Sequence, residues 1–196
     1  MWEAISNIGD AALTLPVALI CGVWALASNR PLAVRWMLCL GAGMALVGTT
    51  KILYAGCGIE ATGFDFRVVS GHTMLSTSVW SVAFAMLFQS MGRSRWGGAA
   101  IGLLVGAITA IARVCDHAHT APEVVIGWMI GALVVIGVLE WRWEFEPHPR
   151  SRRVAAILLV FVSSLAYGHR APIQNMIDAR SPYLCELVRS AVLGIF

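Results

Sequence analysis

The chain has 196 residues, enough for one domain, yet 58% of them are hydrophobic and only 13% charged, against roughly a quarter charged in a soluble domain. That balance excludes an ordinary water-soluble fold and makes the lipid bilayer the expected partner. A net charge of +3 gives no reason to expect a nucleic-acid partner.

A backbone in hydrocarbon must satisfy its own hydrogen bonds, so the long apolar runs are expected to be helices, and a spanning helix needs roughly 20 apolar residues. The first run covers 11–28. Glu3 and Asp10 precede it with no basic residue, so it is not expected to be a cleaved signal peptide. Further runs follow at 32–57, 72–91, 96–114, 122–141 and 154–168. The expected fold is therefore all-α, a polytopic bundle of six transmembrane helices forming a single integral membrane domain over 1–196.

Arg30 and Arg35 lie between the first two runs, Arg93 and Arg95 between the third and fourth, and Arg142, Arg150, Arg152 and Arg153 between the fifth and sixth. By the positive-inside rule these three loops face the cytoplasm, which leaves both termini extracytoplasmic. Trp36, Trp96, Trp141 and Trp143 flank the same loops, as interfacial tryptophans do. Pro147 and Pro149 stop helix continuation ahead of the sixth run. After it, the apolar segment 184–196 is too short to span and reads as an amphipathic helix on the outer surface or a soluble docking segment. Of the five cysteines, Cys21 and Cys39 fall within spans, whereas Cys57, Cys115 and Cys185 map to the outer side; a disulfide there is allowed, and there is no CxxC pair to point to one.

Charges retained near lipid need a reason, because an Arg or Lys at the bilayer centre costs roughly 2.5 to 3.5 kcal/mol on insertion scales. Lys51, Arg113 and Glu123 sit at the outer ends of their spans, together with Arg67, Ser70, His72, Asp116, His117 and His119. Three cations, imidazoles and a carboxylate in one layer suggest an anion site at the outer end of the bundle. Ser70-Gly71-His72-Thr73 opens the third span. A helix N-terminus there offers free N–H groups and Gly71 permits close approach, although Ser-Gly before a helix is also an ordinary cap.

His119 and Glu123 are four residues apart, so on a helix they share a face and the carboxylate can hold the ring, while Arg113 can neutralise phosphate oxygens. Thr120-x-x-Glu123 with Pro122 equally reads as a capping box. Asp116, His117, His119 and His72 could instead bind zinc, against the repulsion of the nearby Lys and Arg.

These segments resemble the second and third signatures of the type 2 phosphatidic acid phosphatase superfamily: Ser-Gly-His, and an Arg followed after five residues by His and after three more by an acid. The resemblance runs from Lys51 to Glu123, with Val69, Ala112 and Glu123 standing where the family has Pro, Ser and Asp. In the first signature of the family a Lys is followed, after six intervening residues, by Arg-Pro, but counting from Lys51 this chain has Gly58 there and no Arg-Pro; Arg67 is a candidate replacement.

The resemblance implies a lipid phosphate or diphosphate phosphatase of the inner membrane, similar to bacterial enzymes for undecaprenyl diphosphate or phosphatidylglycerophosphate, with its site on the extracytoplasmic face. His119 would be the nucleophile, Glu123 would orient it and His72 would be the general acid. Lys51, Arg67, Ser70, Gly71 and Arg113 would bind phosphate, and neither a metal nor a cofactor is required. A lipid-to-lipid phosphotransferase and a non-catalytic lipid-phosphate binder are the alternatives.

Overall fold

The structure is a computed structural model that describes residues 2–58, 66–140 and 145–193. It is helical: α1 (Trp2–Ser6), a 3-10 turn (Asn7–Gly9), α2 (Ala11–Ser28), α3 (Arg30–Cys57), α4 (Gly71–Ser90), α5 (Arg95–Cys115), α6 (Ala121–Leu139), α7 (Pro149–Ala166) and α8 (Ile173–Leu193). Among the described residues, four segments are long and apolar enough to cross a membrane: Trp2–Ser28, Arg30–Cys57, Arg95–Cys115 and Ala121–Leu139. Leu19, Leu38, Leu104 and Leu133 on these segments are each more than 60% exposed, which in a folded chain of this composition marks lipid-facing surface. This is a helical membrane protein.

The third and sixth predicted spans correspond to α4 and α7, which fall outside that set of four. α4 is the central helix, packed against α2, α3, α5, α6 and α7, so protein rather than lipid surrounds it and it can carry hydroxyls. Ser76, Thr77, Ser78 and Ser81 are fully buried. Thr77 and Ser78 donate to the carbonyls of Thr73 and Met74 at 2.7 and 2.9 Å, and Ser76 pairs with Thr109 of α5 at 2.9 Å. α7 begins earlier than predicted because Pro149 occupies its first turn, where the missing N–H costs nothing, and His148 Nδ1 caps it by accepting from Arg150 N.

Glycines set how closely the neighbours approach α4. On α5, Gly98, Gly102 and Gly106 repeat every fourth residue; a Cβ on Gly102 would lie 2.2 Å from Ser81 Cα, and one on Gly106 2.1 Å from Thr77 Oγ1. On α6, a Cβ on Gly131 would meet Thr77 Cβ at 2.6 Å. Small residues at this spacing let helix backbones touch where hydrophobic attraction is unavailable.

The basic loops converge on one end of the bundle. Arg35 donates to the Val138 carbonyl at the end of α6 (3.5 Å), and Arg152 to that of Ser90 at the end of α4 (2.8 Å). Trp96 is 45% exposed there, with the Arg95 guanidinium over its ring. Trp36 departs from the interfacial expectation: it is buried and donates from Nε1 to the Ala18 carbonyl at 2.9 Å, joining α3 to α2. Trp141, Arg142 and Trp143 lie outside the described residues. Residues 184–193 of the apolar C-terminal segment belong to α8, whose backbone starts well before them and packs along α3, and 194–196 lie outside the described residues. Cys57 and Cys185 form a disulfide that fastens α8 to the end of α3.

Candidate active site at the end opposite the basic loops

The spacing from Arg113 to His119 has a local cause. α5 ends after Cys115, and His117 takes the left-handed conformation (φ 55°). Its N–H bonds the Val114 carbonyl at 3.0 Å while the Ala118 N–H reaches that of Arg113 at 3.1 Å, the pair of bonds that closes a Schellman turn. The same turn brings His119 N within 3.2 Å of the Arg113 carbonyl. Five intervening residues are therefore the length of chain that reverses direction and sets the imidazole beside the arginine that began it.

α6 then starts at Ala121 with Glu123 at its third position. Glu123 Oε2 lies 2.6 Å from His119 Nδ1 and accepts from Thr120 N at 3.2 Å; Oε1 accepts from the N–H groups of Arg67 and Val68 at 2.7 and 3.1 Å. Orienter and cap are thus one carboxylate, which also ties down the strap leading into α4. Because the backbone N–H groups make both oxygens acceptors, the hydrogen between Glu123 and His119 resides on Nδ1, and the lone pair is on Nε2. The His119 side chain is 9% exposed. Burial is the main influence on its pKa and lowers it from the ordinary imidazole value; Arg113 and Lys51 push in the same direction, and the hydrogen bond to Glu123 opposes them.

His119, His72, Gly71, Lys51 and Arg113 line one cavity of about 530 Å³, whose remaining wall includes Met44, Val47, Leu75, Ile173 and Ile177. Lys51 Nζ reaches to 3.9 Å from where a Cβ on Gly71 would stand, at the N-terminal end of α4. Arg113 Nη1 donates to Ser6 Oγ at 3.0 Å, while its Nε is buried with no partner among the described residues. A buried guanidinium N–H without an acceptor is costly in a finished protein and fits a position awaiting an anion.

Ser70 and Arg67 take different positions from these. Ser70 is fully buried, and its hydroxyl accepts from Thr73 N at 3.4 Å and from Thr73 Oγ1 at 3.0 Å, so it caps α4. The Arg67 side chain is exposed while its backbone N–H serves Glu123. Asp116 and His117 are exposed on the outside of the Schellman turn. Among the described residues there is no cluster of three or more His, Cys, Asp or Glu side chains with the geometry to hold a metal ion.

Sequence reasoning missed two participants, both from the N-terminal segment: Ser6, which holds Arg113, and Asp10, whose Oδ2 lies 3.3 Å from His72 Nε2. Asp10 caps α2 and precedes an apolar run, so it looks like a helix start and nothing more. The signal that could have found it was topological, since the start of the first span falls in the same layer as the other ionisable groups.

Residues 20–147 match the PAP2 superfamily. A protein of Klebsiella pneumoniae described as an uncharacterized 22.5 kDa protein in the cps region is 30% identical over 186 residues, covering 90% of this chain and 88% of that one. No solved structure matches the chain. The family match takes in the Ser-Gly-His strap, the Schellman turn and the His119–Glu123 pair, and with a relative aligned over nearly the whole length it shows that this chain belongs to the PAP2 superfamily.

Proposed function

We propose that the protein is a lipid phosphatase that acts through a phosphohistidine at His119. The observation that carries this reading is the shared cavity, in which an imidazole oriented by a carboxylate stands beside Lys51 and a partly unpartnered Arg113, with an apolar wall continuing from them.

His119 Nε2 would attack phosphorus while the bond to the lipid oxygen breaks, and His72 would give that oxygen a proton. Water would then attack the phosphohistidine and return a proton to His72, releasing phosphate and the free His119. Lys51, Arg113 and the first N–H groups of α4 would stabilise the equatorial oxygens, the main protein task in phosphoryl transfer. The apolar wall suits the chain of an isoprenoid diphosphate or a phosphatidic-type lipid whose phosphate sits at headgroup level. In the accompanying topology α4 and α7 complete six spans, the basic loops are cytoplasmic, and the cavity opens on the extracytoplasmic face of the inner membrane.

The test is phosphate release from a panel of lipid phosphates by the purified protein and by His119→Ala, with and without a chelator. Release by the parent, loss in the variant and no effect of chelation are expected. Unchanged release by the variant removes the nucleophile, loss on chelation replaces the scheme with a metal-assisted one, and appearance of a phosphorylated acceptor lipid in place of inorganic phosphate makes the protein a phosphotransferase.

A further inference from the structure

We infer that Asp10 is the positioning residue of the general acid, holding His72 for leaving-group protonation as Glu123 holds His119 for attack. The inference rests on the phosphatase reading and adds to it a residue from the segment ahead of the first long helix.

The geometry begins with how tightly that segment is seated. A Cβ on Gly9 would lie 2.5 Å from the His72 carbonyl oxygen and 2.9 Å from Thr109 Cγ2, so the 3-10 turn is pressed against the backbone of His72 itself. Trp80 Nε1 donates to the Ile8 carbonyl at 3.1 Å, fixing the turn to α4 at a second point. From the far end of the chain, Tyr167 donates its hydroxyl to the Ala4 carbonyl at 3.0 Å, and Arg170 pairs with Glu3.

Asp10 leaves this turn with its two oxygens assigned to different tasks. Oδ1 accepts from Ala12 N at 2.8 Å and Ala171 N at 3.0 Å, which fixes the carboxylate by two separate segments of backbone. Oδ2 faces His72 Nε2 at 3.3 Å. The Asp10 side chain is 8% exposed and that of His72 30%, so the carboxylate is anchored inside while the imidazole reaches open space. An imidazolium donates from both nitrogens; with Nε2–H directed to Asp10, the second N–H is available to a leaving oxygen. His72 and Asp10 also form part of the wall between the catalytic cavity and a more polar cavity lined by Glu3, Ser6, Arg113, Asp116 and Arg170.

The cap and the charge of Asp10 separate by substitution. Asn and Ser are both good N-caps, so Asp10→Asn and Asp10→Ser preserve the start of α2 and remove the negative charge facing His72. The diagnostic readout is kcat/KM on two substrates, phosphatidic acid in detergent micelles and p-nitrophenyl phosphate. An alkoxide leaving group needs a proton in the transition state, whereas p-nitrophenolate leaves without one.

The expected result is a loss of about 10- to 100-fold on phosphatidic acid, a part of the roughly 10²- to 10⁴-fold that a positioned general acid contributes, with p-nitrophenyl phosphate close to the parent value and Tm unchanged. Equal losses on both substrates accompanied by a lower Tm would make Asp10 a cap alone. Parent-like rates on both substrates, with His119→Ala inactive, would overturn the role of Asp10 and leave the phosphatase reading standing. A parent protein that releases phosphate neither from these two substrates nor from any lipid phosphate of the panel, or an active His119→Ala, would remove that reading and this inference with it.

Discussion

Glu123 accepts four hydrogens, one from His119 and three from the backbone of Thr120, Arg67 and Val68, so orienting and structural roles cannot be separated at this position by geometry. Glu123→Gln keeps the size and one acceptor oxygen but turns an NH2 toward a donor. Turnover should fall on the order of 10³- to 10⁴-fold, the scale seen when the carboxylate behind a catalytic imidazole is neutralised. Stability should fall as well, by about 2 kcal/mol for the buried donors left without a charged acceptor. Steady-state kinetics and thermal melting in the same detergent check both; lowered turnover at an unchanged Tm would mean that the strap into α4 does not depend on this carboxylate.

The environment of His119 fixes a pH dependence with a definite sign. Burial lowers its pKa below 6.5, so the ring stays neutral into mildly acid solution, as the proposed nucleophile must. The acid limb of kcat/KM should therefore lie below pH 6.5, with activity rising as pH increases through it. The folded state also binds this proton more weakly than the unfolded chain, so its contribution to stability is lost as pH falls below the ordinary imidazole value. A limb above that value would require a charged His119 in the resting enzyme and would contradict its burial.

What was legible in the sequence at this scale was whatever the chain forms locally. Arg113, His119 and Glu123 are related by one turn and one helix face, so their spacing alone carries the geometry. Asp10 meets His72 across 62 residues, and a pairing of that kind has no period or motif to reveal it. Ser70 was ambiguous because a cap and a phosphate ligand call for the same hydroxyl; its oxygen accepts two bonds from Thr73, which is the cap.

Among the elements, α4 shows why apolarity alone misjudges a membrane bundle. A helix in lipid must be greasy outside, but one enclosed by five others can carry serine and threonine where most hydroxyls find a partner, as Thr77 and Ser78 do on carbonyls and Ser76 on Thr109, leaving Ser81 Oγ alone without one among the described residues. Its enclosure depends on the glycines of α5. Gly102→Ala puts a methyl where Ser81 Cα and N stand 2.2 Å away, so the helices must separate, at a cost of about 1 to 3 kcal/mol for overpacking. Because α5 carries Arg113 at its cavity end, activity should decline with Tm. Gly41→Ala is the control: nothing lies within 4 Å of its added Cβ, so the change should be neutral or stabilising by up to about 1 kcal/mol through helix propensity. Equal melting temperatures for the two variants would mean that α4 and α5 are not in close contact.

On the scale of the whole molecule, the basic loops and the cavity occupy opposite ends of one bundle, and the proposed topology stands or falls on which end faces the cytoplasm. The Cys57–Cys185 disulfide spans 128 residues, a separation with no local signature, and it joins the cavity end of α3 to α8, which supplies Ile173 and Ile177 to the apolar wall. A disulfide persists in an oxidising compartment, so its location and the positive-inside rule point to the same face by unrelated physics. Cys115 offers a direct test, since it is a free, exposed thiol two residues from Arg113, whereas Cys21 is free but buried. A membrane-impermeant maleimide applied to intact spheroplasts should label the protein before lysis, and Cys115→Ser should abolish that labelling. Reagent reaching Cys115 only after the inner membrane is broken would place the cavity in the cytoplasm, and the arrangement of arginines would then run against the charge rule that orients most helical membrane proteins.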